Sequence, residues 1–229
     1  LNHLLKLQKI LKMNNIVKLK DYLFSNEEKI NLIAGPCVLE SHSHARMMVE
    51  ELLKMTSELR INFVYKTSYD KANRTSLDSD RGLGIDKSIE IFDELKKEYN
   101  ISILTDVHNV ADCDKVKDYV DILQIPAFLC RQTDLIKSAA QTKKIVNVKK
   151  GQFLSHKEVS NIIKKIENEN NKKILITERG NSFGYNYLIN DFKGIHFMKE
   201  FGYPIIFDST HSVQLPGGLG KKVEVLESM

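Results

Sequence analysis

The sequence predicts an α/β fold, a (β/α)8 barrel lacking its last β/α segment, with an N-terminal hairpin. Three observations carry this. From Ile30 onward, short and almost continuously apolar runs alternate with helical stretches, the pattern of a parallel sheet covered by helices. Each apolar run ends in residues suited to binding or catalysis, and in a barrel all strand ends face one mouth. A doubly wound sheet would gather its site at one switch point, and no Gly-x-Gly-x-x-Gly follows any strand to mark a dinucleotide site.

In chain order, residues 1–29 form an extension and hairpin, and residues 30–229 form the barrel. Residues 1–12 are Leu- and Lys-rich at roughly helical spacing. With neither Arg nor Ser they read as an appended or upstream segment rather than a transit peptide or membrane-surface helix. Ile16 to Lys20 and Tyr22 to Phe24, separated by Asp21, read as a short hairpin. Strands are predicted at 30–34, 61–65, 101–105, 120–125, 145–148, 174–177 and 204–207, and helices at 43–60, 86–99, 111–118, 132–142, 156–170 and 191–201. No low-complexity linker interrupts the series. After Gly220 too little remains for a further unit, which would leave the first and seventh strands as edges, so either the sequence is C-terminally truncated or the barrel closes in some other way.

The 229 residues are 42% hydrophobic and 28% charged, ordinary for a soluble globular protein. The net charge of +4 is small, and five lysines lie within the first twenty residues, so the balance does not argue for nucleic acid. No apolar run is long enough to span a membrane. Three cysteines without Cys-x-x-Cys spacing fit free thiols in a reducing compartment, and the reading is cytoplasmic.

The segment from Lys66 to Arg81 follows directly on an apolar strand and is dense in Lys, Arg, Asp, Ser and Thr. Taken alone it is either a solvated loop or a cradle for a phosphorylated, hydroxyl-rich small molecule. The other strand ends favour the cradle. Lys66, Lys71, Arg74, Lys149 and Arg179 converge on the predicted mouth, with Arg131 a candidate sixth, and like charges so gathered need an anion to neutralise them. Strand ends also carry Asp106, His108, Gln124, Glu178 and Asp208. Cys37 and His211 are either packed core residues or ligands of a borderline metal such as zinc or iron.

Several motifs occur in order and at even spacing between about residues 30 and 220. They are Ala34-Gly-Pro-Cys37, Asp70-Lys-Ala-Asn-Arg74, Gln124-Ile-Pro-Ala-Phe128, Arg131-Gln-Thr-Asp134, Asn147-Val-Lys-Lys150, Glu178-Arg-Gly180, Phe183-Gly-Tyr185 and Phe207-Asp-Ser-Thr-His211 running on to Gly218. Together they closely resemble the 3-deoxy-D-manno-octulosonate 8-phosphate synthase family. The resemblance implies a TIM barrel, usually a homotetramer, that condenses phosphoenolpyruvate with D-arabinose 5-phosphate in lipopolysaccharide biosynthesis. It implies that Lys66, Lys71, Gln124, Ala127, Lys149 and Arg179 meet phosphoenolpyruvate. Asn73, Arg74 and Thr75 would hold the sugar phosphate, Arg74 across a subunit boundary, and Asp106 the sugar hydroxyls. Lys71, His211 and Asp106 are the catalytic candidates, and residues 16–24 would plug the barrel floor.

Cys37 resembles the metal-dependent class, so a divalent metal (zinc, iron or manganese) held by Cys37 and His211 is implied, although the family's later Glu and Asp ligands are absent from this sequence. Two alternatives stand beside the synthase. One is a barrel that binds phosphorylated ligands, or nothing, without turnover. The other is the related shikimate-pathway synthase that uses erythrose 4-phosphate, which typically has Pro where this chain has Asn73.

Overall fold

The computed structural model describes residues 15–72, 80–185 and 187–215, and the backbone of 224–225. Strands β1 (Val17–Leu19) and β2 (Tyr22–Phe24) form the predicted antiparallel hairpin. Lys20 turns it in the left-handed region, φ 50°, and its ammonium donates to the carbonyl of Asn100 at 2.8 Å, which anchors the turn to the main body. The repeating units then follow: β3 (Asn31–Ala34), α1 (His42–Leu59), β4 (Asn62–Lys66), α2 (Ile85–Tyr99), β5 (Ser102–Asp106), α3 (Val110–Val116), β6 (Ile122–Ile125), α4 (Thr133–Gln141), β7 (Ile145–Lys149), α5 (Val159–Glu167) and β8 (Ile174–Glu178). A two-stranded ribbon, β9 (Asn181–Ser182) with β10 (Leu188–Ile189), precedes α6 (Phe192–Lys199) and β11 (Ile205–Phe207). Beyond it, β12 (Gln214–Leu215) pairs with β13 (Glu224–Val225).

The helix starts have local causes. Ser41 caps α1 by accepting the His44 amide at 3.1 Å, and Asn109 and Asp112 form a reciprocal capping box on α3. The helix expected over 156–170 is shorter: a 3-10 turn at His156–Glu158, closed by Ser155 and Glu158, leads into α5. On α5 the buried residues Val159, Ile162, Ile163 and Ile166 form one apolar stripe against the sheet.

The main sheet is a curled, seven-stranded sheet of the TIM type in the order β3-β4-β5-β6-β7-β8-β11, and every adjacent pair is parallel. Strands β5 to β8 are buried throughout, whereas β3 and β11 are partly exposed. As the count of seven units implied, these two are the edges; among the described residues they do not pair with each other. Both line a cleft of about 740 Å³. The Asn26 side chain lies against one edge, donating to the Tyr203 carbonyl at 2.9 Å and accepting the Ile205 amide at 3.0 Å.

Alternation along each strand sorts the residues by function. Phe63, Tyr65, Ile103, Leu123, Ile125, Val146, Val148, Ile174 and Ile176 point outward into the core beneath the helices. Val64, Leu104, Ile122, Ile145 and Leu175 point inward and pack against Val17, Leu19 and Phe24, so the hairpin closes one end of the bore. Burying each of these hairpin side chains contributes about 1.5–3 kcal/mol. The next inward positions toward the other end are polar and build the site.

Candidate active site

One step above the apolar floor, the inward residues form a buried hydrogen-bonded belt across four strands. Thr177 donates to Asn147 Oδ1 at 2.7 Å, and Asn147 Nδ2 donates to Gln124 Oε1 at 2.9 Å. Gln124 in turn donates to the Asp106 carboxylate. The other carboxylate oxygen accepts the Ser68 hydroxyl at 2.8 Å, and Ser68 accepts from Lys71 Nζ at 2.8 Å. All donors point toward Asp106, so the chain of hydrogen bonds ends on a carboxylate. Burial alone would raise the Asp106 pKa, but the ammonium groups of Lys71, Lys66 and Lys149 and the Ser68 hydroxyl hold it well below the usual carboxylate range.

Above the belt sits a cationic layer. A pocket of about 360 Å³ is lined by Lys66, Lys71, Lys149 and Arg179 with Asp106, His108, Gln124, Ala127 and His211. Lys149 Nζ lies 2.5 Å from Asp208 Oδ2, which also lies 2.7 Å from His211 Nδ1. A carboxylate can only accept, so His211 carries a proton on Nδ1, and Nε2 is the ring nitrogen left to meet Cys37. Burial lowers the Lys149 pKa to about 8 despite Asp208. Burial lowers that of Arg179 as well.

Arg179 turns toward the same point as Lys149, its Nη2 donating to the His211 carbonyl at 3.0 Å. Its Nε is buried without a hydrogen-bond partner among the described residues. A buried, unpaired guanidinium donor is costly unless something anionic fills its site.

Gly35 explains part of the Gly-Pro-Cys motif: a Cβ there would lie 2.1 Å from the Lys66 carbonyl, so only glycine lets β3 pass this close to the end of β4. The turn it allows brings Cys37 to His211. A hydrogen bond with His211 lowers the Cys37 pKa, burial opposes this, and Lys71 and Lys66 lower it further, to about 6.

The structure therefore brings together Cys37, Lys66, Lys71, Asp106, Gln124, Ala127, Lys149, Arg179 and His211. Asn73, Arg74 and Thr75 lie outside the described residues. Arg131, the candidate sixth cation, is exposed and does not line the pocket; it lies beyond the 3-10 turn at Ala127–Leu129, and its carbonyl accepts Lys165 Nζ at 2.9 Å. Glu178 is also turned away, because it occupies an outward position of β8. Three contributors were not singled out from the sequence: Ser68, Asn147 and Thr177. Asn147 and Thr177 each interrupt an apolar strand at an inward position, a signal legible once the inward register is known.

A divalent metal finds a short donor set. Among the described residues, no group of three or more His, Cys, Asp or Glu side chains is placed to hold one ion. Cys37 and His211 supply a thiolate and an imidazole, half of the four donors that a zinc site takes. These residues alone do not fit a tightly held ion.

Residues 11–229 match the family described as DAHP synthetase I. The chain belongs to this family. It is 56% identical over 208 residues to a protein of Rickettsia bellii, covering 91% of this chain and 76% of that protein. It is 54% identical over 209 residues to one of Bartonella tribocorum, covering 91% and 75%, and 52% identical over 207 residues to one of Brucella ovis, covering 90% and 75%. All three relatives carry the name 2-dehydro-3-deoxyphosphooctonate aldolase.

Proposed function

We propose that this chain condenses phosphoenolpyruvate with D-arabinose 5-phosphate to give 3-deoxy-D-manno-octulosonate 8-phosphate and inorganic phosphate, a carbon–carbon bond-forming step of lipopolysaccharide biosynthesis. The observation that carries the reading is the buried cationic layer, where Lys149 and Arg179 converge on His211 and the Arg179 Nε has no partner among the described residues. Membership of a family of phosphoenolpyruvate-using synthases, and relatives named for this product, support it.

In this reading Lys66, Lys149 and Arg179 hold the phosphate and carboxylate of phosphoenolpyruvate, with Gln124 and Ala127 beneath. Asp106 accepts sugar hydroxyls, and Asn73, Arg74 and Thr75 take the sugar phosphate. C3 of the enol attacks the aldehyde carbon, and Lys71, beside Asp106, donates a proton to the aldehyde oxygen as it becomes a hydroxyl. Water adds to C2 and gives its proton to the hydrogen-bonded His211–Cys37 pair. The resulting hemiketal phosphate then expels inorganic phosphate by C–O cleavage. Cations already in place stabilise the developing charge without reorganising.

The test is phosphate release from phosphoenolpyruvate with arabinose 5-phosphate, with and without added divalent metal because Cys37 and His211 lie together. Release with the five-carbon sugar supports the reading, and release only with erythrose 4-phosphate favours the shikimate-type relative. Calorimetric binding of phosphoenolpyruvate without release under any condition identifies a binding-only barrel. A homotetramer in the cytoplasm is part of the proposal, in keeping with three unpaired cysteines; sedimentation of an active monomer would contradict the shared role of Arg74. Among the described residues no helix is long and apolar enough to cross a membrane.

A specific expectation concerns Arg179. Replacing it with Ala removes charge-assisted hydrogen bonds worth roughly 1.5–3 kcal/mol. Phosphoenolpyruvate affinity should fall by about tenfold or more, and unchanged affinity by calorimetry would remove Arg179 from the site.

A further inference from the structure

Lys150 and Glu178 are the covalent neighbours of the two cations Lys149 and Arg179, and the reaction scheme uses neither. Their side chains are each 1% exposed and lie 3.5 Å apart on the outward face of the wall, behind the pocket. Glu178 Oε1 accepts the backbone amides of Arg179 at 3.0 Å and Gly180 at 2.7 Å. Lys150 Nζ donates to Asn181 Oδ1 at 2.7 Å, to the Leu154 carbonyl at 3.3 Å and to the Gly151 carbonyl at 3.4 Å. The pair thus ties the turn after β7 to the turn after β8, and each tie is one residue from a cation facing the pocket.

We infer that the Lys150–Glu178 pair is a positioning device that fixes Lys149 and Arg179 against each other before an anion arrives. Stability is a poor reason for such a pair, because replacing a buried ion pair with apolar residues of similar volume is often neutral or stabilising. Function supplies a better one. Asp208 pairs directly with Lys149 but not with Arg179, so two cations aimed into one cavity keep their spacing only if the backbone beneath each is held. The alternation of the strands places Lys149 and Arg179 inward and Lys150 and Glu178 outward, so one pair can hold the other through two peptide units. The inference rests on reading the pocket as the phosphoenolpyruvate site.

The test compares the parent chain with Lys150→Met/Glu178→Leu, which removes both charges together with the amide acceptor. In a variant that keeps its melting temperature, phosphoenolpyruvate affinity by calorimetry should fall on the order of tenfold, since small misplacements of a binding group are expensive. The Michaelis constant for arabinose 5-phosphate should stay unchanged. Glu178→Gln keeps the volume and the amide acceptor and frees only Lys150; it should give a smaller loss of the same kind, and it carries the test if the double variant does not fold. Lys150→Arg, which retains charge and donors, should stay closest to the parent. A folded variant with parental phosphoenolpyruvate affinity, or equal losses for both substrates, overturns the inference. If the parent itself binds no phosphoenolpyruvate, the reading of the pocket fails instead; inorganic phosphate then serves as the probe, and equal phosphate affinity in parent and variant sinks the positioning role by itself.

Discussion

Replacing Lys149 with Met lowers kcat/KM for phosphoenolpyruvate by about 10²- to 10³-fold, the effect of removing one preorganised charge from a water-poor site. The Lys149 side chain is 8% exposed and paired at 2.5 Å with Asp208, so its charge is neither solvated nor mobile. Met keeps the aliphatic stem and its packing, which separates loss of charge from loss of volume. The variant also leaves Asp208 with His211 as its remaining partner. Breaking a buried pair from one side costs about 3–5 kcal/mol, and the retained His211 contact places this case near the lower end. Adding Asp208→Asn should therefore recover much of the stability and none of the activity. Kinetics and thermal unfolding of the single and double variants check both halves. A kcat/KM close to that of the parent in a folded Lys149→Met protein would remove Lys149 from the anion site.

Asp106→Asn has the second-largest expected effect, and its form follows from the belt. Asn can only accept at one atom, so one of its two neighbours must change role. The amides of Gln124 and Asn147 can turn over together, and the Thr177 hydroxyl can accept as readily as it donates, so the hydrogen bonds survive in reverse order. The charge does not survive. Lys66, Lys71 and Lys149 lose the carboxylate that faces them, and stability at neutral pH should drop by about 3 kcal/mol or more. Catalytic efficiency toward the sugar should fall on the order of 10- to 100-fold as charge-assisted hydrogen bonds to its hydroxyls weaken.

The same residue sets a pH dependence. The folded pKa of Asp106 lies below its unfolded value, so the folded state holds fewer protons at this site and its ionisation favours folding. That contribution is fully present above the unfolded value of about 3.9 and is lost as the pH falls below it toward the folded value. The stability gap between parent and Asp106→Asn should therefore be constant from neutral pH down to about 4 and close beneath that. Denaturant unfolding across this range measures it, and a gap that persists unchanged in acid would show that the charge of Asp106 is not its source.

Much of the architecture is legible in the chain alone, because it depends on local regularities. Seven apolar runs rich in Ile, Val and Leu, separated by amphipathic stretches, determine a parallel sheet with helices over it. Ile16 to Phe24, punctuated by Asp21, determines the hairpin. The clustering of Lys66, Lys71, Asp106, Gln124, Lys149 and Arg179 at strand ends follows from the same reading, since parallel strands bring all their C-terminal ends to one side.

What only the tertiary structure decided is the face of the wall on which each residue stands and the partner it meets there. Lys149 and Lys150 are adjacent and alike in sequence, as are the charged neighbours Glu178 and Arg179. A one-residue step along a strand sends one member of each pair into the pocket and the other behind it. Arg131 falls away because a 3-10 turn carries the chain past the mouth before it arrives. Asp208 gains its place through contacts with Lys149, 59 positions earlier, and with His211, three later. Pairings across such separations arise when the sheet curls and closes distances that spacing along the chain does not encode, which is why the belt of hydrogen bonds became visible only in the folded molecule.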